Sequence, residues 1–208
     1  MITIIDYKMG NIKSLMNALD FLGCGFCFTN SAETILKSEK IILPGVGAFD
    51  KAMENLMEFG LIDVLNEVVL NKKIPILGIC LGMQILATSG EEHSACKGLG
   101  WIQGAVRHIS RVAPDARTPH IGFNAVFKNE GKENILYQGL KDGTDFYFVH
   151  SYQMMCSRAE DVSGWIEYSG ARLTASVQKD NIFGVQFHPE KSQSNGLALL
   201  KNFVLGGI

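Results

Sequence analysis

Five consecutive residues, Gly78-Ile79-Cys80-Leu81-Gly82, have the form G-x-C-x-G. This is the thiol counterpart of G-x-S-x-G, in which a nucleophile rides on a sharp strand-to-helix turn. Side chains two positions either side of the nucleophile would collide in such a turn, and glycine at both removes the collision. A helix starting behind Cys80 favours its thiolate. The amide of Leu81, without an acceptor inside that helix, is available to a developing oxyanion. The same five residues also suit a buried structural cysteine in a turn that needs glycine only to pack.

A thiol nucleophile requires a base. Of the five histidines (His93, His108, His120, His150 and His188), His188 stands apart, because it ends the strand-like run Ile182–Phe187 and leads into Pro189-Glu190. Proline fixes the backbone there, so the Glu190 carboxylate can orient the imidazole and hold its tautomer, as in a Cys–His–acid triad. A strand-end histidine with an acid in the first turn of the following helix is the plainer alternative. If His188 is the base of the free enzyme, activity falls at low pH as it protonates. Pro44-Gly45-Val46-Gly47 has the backbone freedom to turn its amides toward a ligand, or it is a simple strand-to-helix connection. Cys24-Gly25-Phe26-Cys27 is formally C-x-x-C. It lacks the further ligands of a zinc site, and it leaves a helix where a redox motif would open one, so both cysteines read as packing residues. There is no P-loop and no G-x-G-x-x-G after a strand. No metal and no cofactor are expected.

The elements that must position these groups follow a pattern. Ile2–Tyr7, Phe26–Thr29, Ile41–Leu43 (ending at Pro44) and Ile74–Ile79 read as short buried strands. Between them lie helical segments: Asn11–Leu22 with Asn11 as cap, a short turn capped by Ser31, Ala48–Phe59 and Leu61–Asn71. A further helix starts at Leu81–Ala87. Strand and helix alternating in this way predict an α/β fold with a mainly parallel sheet flanked by helices. The second half changes texture. Trp101–Ile109, Ile121–Phe127, Asp145–His150, Val162–Tyr168, Ala171–Gln178 and Ile182–Phe187 are strand-like, and antiparallel hairpins on one sheet edge would accommodate them. Leu197–Val204 closes the chain as a helix.

Composition narrows the class. The chain has 208 residues, of which 47% are apolar and 19% charged, a globular balance large enough to bury its own core. One domain, residues 1–208, is expected. A net charge of −2 carries no bulk attraction for nucleic acid or an anionic membrane. No stretch is long and apolar enough to span a bilayer, and Met1–Asp6 lacks the basic start of a signal peptide. An odd number of cysteines, five, argues against a disulfide framework. The expected location is the cytoplasm.

Together these segments resemble the class I, triad-type glutamine amidotransferases. The resemblance rests on Ile5-Asp6-Tyr7-Lys8-Met9-Gly10-Asn11, Leu43 to Phe49, Gly78 to Gln84, Pro119-His120-Ile121-Gly122-Phe123-Asn124, Tyr147 to Tyr152, and Gly184 to Ser192. Within that superfamily the opening motif, Pro-Gly-Val-Gly and Phe-Val-His-Ser-Tyr are similar to the glutaminase subunits of imidazole glycerol phosphate synthase, from histidine biosynthesis.

The resemblance implies a single-domain glutaminase fold and a set of roles. Cys80 forms a thioester with glutamine, His188 shuttles the proton, and Glu190 orients His188. Leu81 and a reoriented Val46-Gly47 make the oxyanion hole. Gly47, Gln84, Glu92 and Ser151 surround the bound L-glutamine, with Glu91 adjacent to Glu92. Asn11, Tyr147 and Lys191 face a (β/α)8-barrel cyclase that receives the ammonia. Lys8 stands where the family usually has glycine and Phe123 where it usually has tryptophan; both bear on the partner more than on the chemistry. Three other readings stay open: a paralogous subunit feeding ammonia to a different synthase, for instance one that aminates or amidinates sugars; a catalytically silent interaction module; and a stand-alone thiol hydrolase, for instance a peptidase, against which Pro44–Gly47, Gln84 and Ser151 favour glutamine.

Overall fold

In the computed structural model, which describes residues 1–10, 12–129 and 134–207, the first strand is β1 (Ile2–Ile5), all four residues buried. Next come α1 (Ile12–Phe21), β2 (Phe26–Thr29), α2 (Ala32–Ile35), β3 (Lys40–Gly45), α3 (Phe49–Glu58) and α4 (Leu61–Asn66). The helix after Leu61 widens into a π turn, Glu67–Asn71. Then come β4 (Ile76–Cys80), α5 (Leu81–Gln84), β5 (Ala87–Gly90), β6 (Cys96–Lys97), β7 (Ile102–His108), β8 (His120–Lys128), β9 (Thr144–His150) and β10 (Tyr152–Cys156). The chain ends with β11 (Val162–Tyr168), β12 (Ala171–Lys179), β13 (Ile182–Val185) and α6 (Gln193–Leu205). Asn11, expected to cap α1 and to face a partner, lies outside the described residues. Ser31 does cap α2, accepting from the Thr34 amide.

Nine strands form the main sheet, in the order β2-β1-β3-β4-β13-β12-β11-β8-β9. The first five are parallel and the rest antiparallel. The expected α/β class and mainly parallel core are therefore present. A second sheet, β10-β7-β5-β6, shares no ladder with the first but packs against it through β10 and β12, where the Thr174 amide donates to Gln153 Oε1. Apolar clusters cover both faces of the parallel half, one around Phe183, Phe187 and Phe203, the other around Phe49, Leu56 and Leu65.

Three expectations need correction. The segment from Leu81 is one helical turn, not the start of a longer helix. The carbonyls of Ile85, Leu86 and Ala87 are taken instead by the amides of Leu99, Ile102 and Gly100, which pulls the chain into β5. The strand-like second half is not one set of edge hairpins. β13 inserts beside β4 in parallel, while β7 pairs with β10 in the separate sheet. Finally, β3 runs through Pro44 to Gly45. Its pairing with β1 stops at Ile42, so no neighbouring strand asks for the amide that Pro44 lacks.

Candidate active site

Cys80 ends β4 with φ 55°, in the left-handed region that a side-chain-bearing residue rarely adopts. The flanking glycines let that turn form. A Cβ on Gly78 would meet the Gly82 carbonyl oxygen at 2.6 Å, and a Cβ on Gly82 would meet the Leu43 carbonyl oxygen at 1.7 Å. The elbow is therefore wedged against β3. Because α5 is a single turn, little macrodipole stands behind Cys80.

β13 lies next to β4 in parallel, with Val185 opposite Ile79. The chain beyond Val185 therefore passes the nucleophile. His188 and Glu190 are joined by a 2.8 Å contact from Nδ1 to Oε1, and both side chains are buried. Glu190 is the acceptor, so His188 carries its proton on Nδ1. The Nε2 atom is buried and has no hydrogen-bond partner. Burial alone would push the His188 pKa down. Interaction with Cys80 and then Glu190 outweighs that and raises it well above the ordinary histidine value.

A cavity of about 430 Å³ opens in front of these groups. Val46, Gly47, Cys80, Leu81, Gln84, Glu92, Ser151 and His188 all line it, as do Pro119, Val149, His150 and Tyr152. The two adjacent acids differ in their contacts. Glu92 accepts from the Phe49 amide at the start of α3, whereas Glu91 pairs with Arg107 and Arg111 away from the cavity. Glu190 sits behind His188, on a smaller void shared with Gly10, Pro44 and Gly45. Val46 is half-exposed and its amide donates to the Met9 carbonyl at 3.0 Å. That amide consequently points toward the opening loop, not into the cavity. Gly47, at φ 112°, has a backbone conformation that favours glycine.

Lys8 explains its own departure from glycine. It occupies φ 62°, and its ammonium and amide both bind Asp6, at 2.9 and 3.2 Å. Phe123 is 51% exposed on the outer face of β8 and packs edge-on against Tyr147 across the strand pair. Ile121 is 59% exposed on the same face. Lys191 lies on the exposed side of the turn after His188.

Sequence reasoning missed three groups. Gln186 is fully buried, with Nε2 3.7 Å from the Cys80 sulfur. It lies two residues before His188, past the end of β13, where the chain bends, so no strand periodicity pointed to it. His150 contacts His120 at 3.0 Å. The Tyr7 hydroxyl is buried without a partner, and burial, then the charge of Cys80, hold its proton firmly. Among the described residues, no group of three or more His, Cys, Asp or Glu could hold a metal ion.

A thiol on a strained elbow, a carboxylate-fixed histidine and a cavity shared with backbone amides together suit acyl transfer at an amide. Residues 3–206 match the family described as glutamine amidotransferase class-I. The chain belongs to that family. Two relatives of this class I amidotransferase carry a narrower name. It is 46% identical to imidazole glycerol phosphate synthase subunit HisH of Leptospira borgpetersenii, over 98% of both chains. It is 47% identical to imidazole glycerol phosphate synthase subunit HisH 2 of Vibrio vulnificus, over 98% of this chain and 93% of that one. Among solved structures, a glutamine amidotransferase 19% identical in sequence superposes with a TM-score of 0.72 over 99% of each chain. That likeness concerns the fold alone.

Proposed function

We propose that this amidotransferase, acting as a single domain over residues 1–208, is the glutaminase subunit of an imidazole glycerol phosphate synthase. It hydrolyses L-glutamine to glutamate and ammonia. A (β/α)8-barrel cyclase subunit consumes the ammonia to make imidazole glycerol phosphate and the aminoimidazole carboxamide nucleotide released with it. The observation that carries the reading is the convergence of Cys80 and the His188–Glu190 pair on one cavity in a chain of this family. The names of its relatives supply the acceptor pathway.

Cys80 attacks the side-chain carbonyl carbon of glutamine as a thiolate. The C–N bond breaks, His188 gives its Nε2 proton to the departing ammonia, and a γ-glutamyl thioester remains. Water then attacks, His188 takes its proton, and the C–S bond breaks to free glutamate. Glu190 keeps Nδ1 protonated throughout, so Nε2 is the atom that exchanges. Leu81 and Val46-Gly47 hold the oxyanion once the Val46 amide leaves Met9. Gly47, Gln84, Glu92 and Ser151 hold the substrate. Docking of the partner on Asn11, Tyr147 and Lys191, with Phe123 packed against Tyr147, releases that amide. Among the described residues no helix is long and apolar enough to cross a membrane, and the cytoplasm is the proposed location.

The test is a glutaminase assay on the chain alone, then with the cyclase subunit of the same organism and its nucleotide substrate. Large stimulation that Cys80→Ser abolishes, with free ammonia still supporting the cyclase, is the expected result. Binding with no glutamine consumed under any condition would refute it. One observation favours a second reading, a paralogous subunit serving another synthase: Phe123 and Lys8, which depart from the residues the resemblance leads one to expect, are both exposed. Failure to bind the cyclase while a different synthase is stimulated would select it.

A further inference from the structure

Cys80 faces a second buried polar side chain besides His188. The Gln186 Nε2 atom lies 3.7 Å from the sulfur, within hydrogen-bond length for that element. The Gln186 backbone is fixed, its amide donating to the Ala175 carbonyl at 2.8 Å. The orientation of its side chain follows from a chain of contacts that begins elsewhere. His150 Nδ1 is 2.9 Å from the Tyr152 carbonyl oxygen, which can only accept, so Nδ1 carries the proton. Burial holds His120 and His150 neutral, with pKa values pushed down to about 4 and about 3. A neutral His150 then accepts at Nε2, from His120 Nδ1 at 3.0 Å. The Tyr152 carbonyl also receives Gln84 Nε2 at 2.9 Å. The same Gln84 nitrogen is 3.0 Å from Gln186 Oε1 and donates to it. With its oxygen so engaged, Gln186 has only its NH2 to present to the sulfur. A flipped Gln186 would set two NH2 groups face to face and an oxygen lone pair against a thiolate.

We propose that Gln186 is a further catalytic residue, donating its side-chain N–H to the Cys80 sulfur, and that Gln84, His150 and His120 are positioning residues that fix the donor. This rests on the reading of Cys80 as the nucleophile. The sulfur is negative before attack, neutral in the thioester, and negative again when the C–S bond breaks and its electron pair returns. A fixed donor favours the negative states without having to reorganise. It also gives Gln84 a second duty, since its NH2 serves the network and only its oxygen remains for glutamine.

The experiment is the pH profile of iodoacetamide alkylation at Cys80, followed by mass mapping of that peptide in the intact chain. Gln186→Met keeps the bulk and removes the N–H. The midpoint is expected to rise by about one pH unit, a tenfold change, the low end for a hydrogen bond to a charged group. His150→Leu, which frees Tyr152, moves it less in the same direction, and His150→Asn, which keeps a donor near the Nδ1 position, restores it. A folded Gln186→Met protein with the parent midpoint overturns the proposal. So do equal shifts in His150→Leu and His150→Asn. If Gln186→Met does not fold, NMR of the Gln186 side-chain amide in the parent decides. A shift that tracks Cys80 titration and vanishes in Cys80→Ser supports the contact, and no shift overturns it. Neither glutamine nor a partner is used, so loss of glutaminase activity with an intact midpoint shift would sink only the functional reading.

Discussion

Gly82→Ala is the sharpest probe of the elbow. The new methyl carbon would sit 1.7 Å from the Leu43 carbonyl oxygen and 2.8 Å from its carbon. A carbon–oxygen contact needs about 3.3 Å, so β3 and the turn must part by roughly 1.5 Å. Neither side has slack. Leu43 is fully buried and its strand pairs with β4 through Gly45–Cys80. Overpacking of this kind costs about 1–3 kcal/mol, which for a chain of this length lowers Tm by roughly 2–12 °C. The catalytic penalty is larger in proportion. A 1 Å misplacement of a reacting group costs about 100-fold, and here both the Cys80 sulfur and the Leu81 amide move with the backbone. Thermal melts and partner-stimulated glutamine turnover, side by side, test this. Gly25→Ala is the control, since a Cβ there meets nothing within 4 Å. Gly82→Ala with parental turnover and Tm would mean that the close approach to Leu43 does not constrain the site.

Three further outcomes are expected. Lys8→Gly should raise stability by up to about 1 kcal/mol, because relief of the left-handed backbone outweighs an exposed pair with Asp6; a thermal melt showing a clear loss would refute this. The raised His188 pKa adds stability that is complete below the unfolded value near 6.5 and is lost as pH climbs through the higher folded value. Denaturant melts between pH 6.5 and 10 should therefore show the parent losing about 1.4 kcal/mol more than His188→Asn for each unit of that rise, and equal slopes would deny it. Gly47→Ala, forced toward a φ of 112° and with its Cβ 3.0 Å from Met9, should cut stimulated turnover about 100-fold through the oxyanion hole while leaving partner affinity near the parent's.

What the sequence made legible was local. The elbow could be read because glycines at 78 and 82 answer a steric demand made within five residues. Strands such as Phe26–Thr29 and Val162–Tyr168 could be read because side-chain pattern and turn residues bound them. What stayed hidden depends on partners far along the chain. The helix at Leu81 stops after one turn because residues 99–102 claim its carbonyls, a competition that no window around Leu81 contains. Gln186 was invisible as a donor to Cys80 because its orientation is decided through Gln84, Tyr152 and His150, from three other segments. The separate sheet of β7 and β10 was likewise a question of pairing, and an alternating strand looks the same in either sheet.

The site's two sides differ in how tightly they are held. On the β13 side, Gln186 and His188 follow a central strand, and each has its side chain fixed by a buried partner, Gln84 and Glu190. On the β3 side the chain leaves the sheet at Gly45, Val46 is half-exposed, and its amide is held to Met9 by one bond. The side chains of Gln186 and His188 are thus held before any ligand arrives, while the Val46 amide points away from the cavity. Giving up one backbone hydrogen bond costs about 1 kcal/mol net, and a few apolar side chains on the Ile121–Phe123 face could supply that on docking. If Val46-Gly47 supplies the oxyanion amide as proposed, control of turnover belongs to those two residues, where a small energy moves a donor, and not to Cys80, His188 and Glu190, where the same energy would have to break buried contacts.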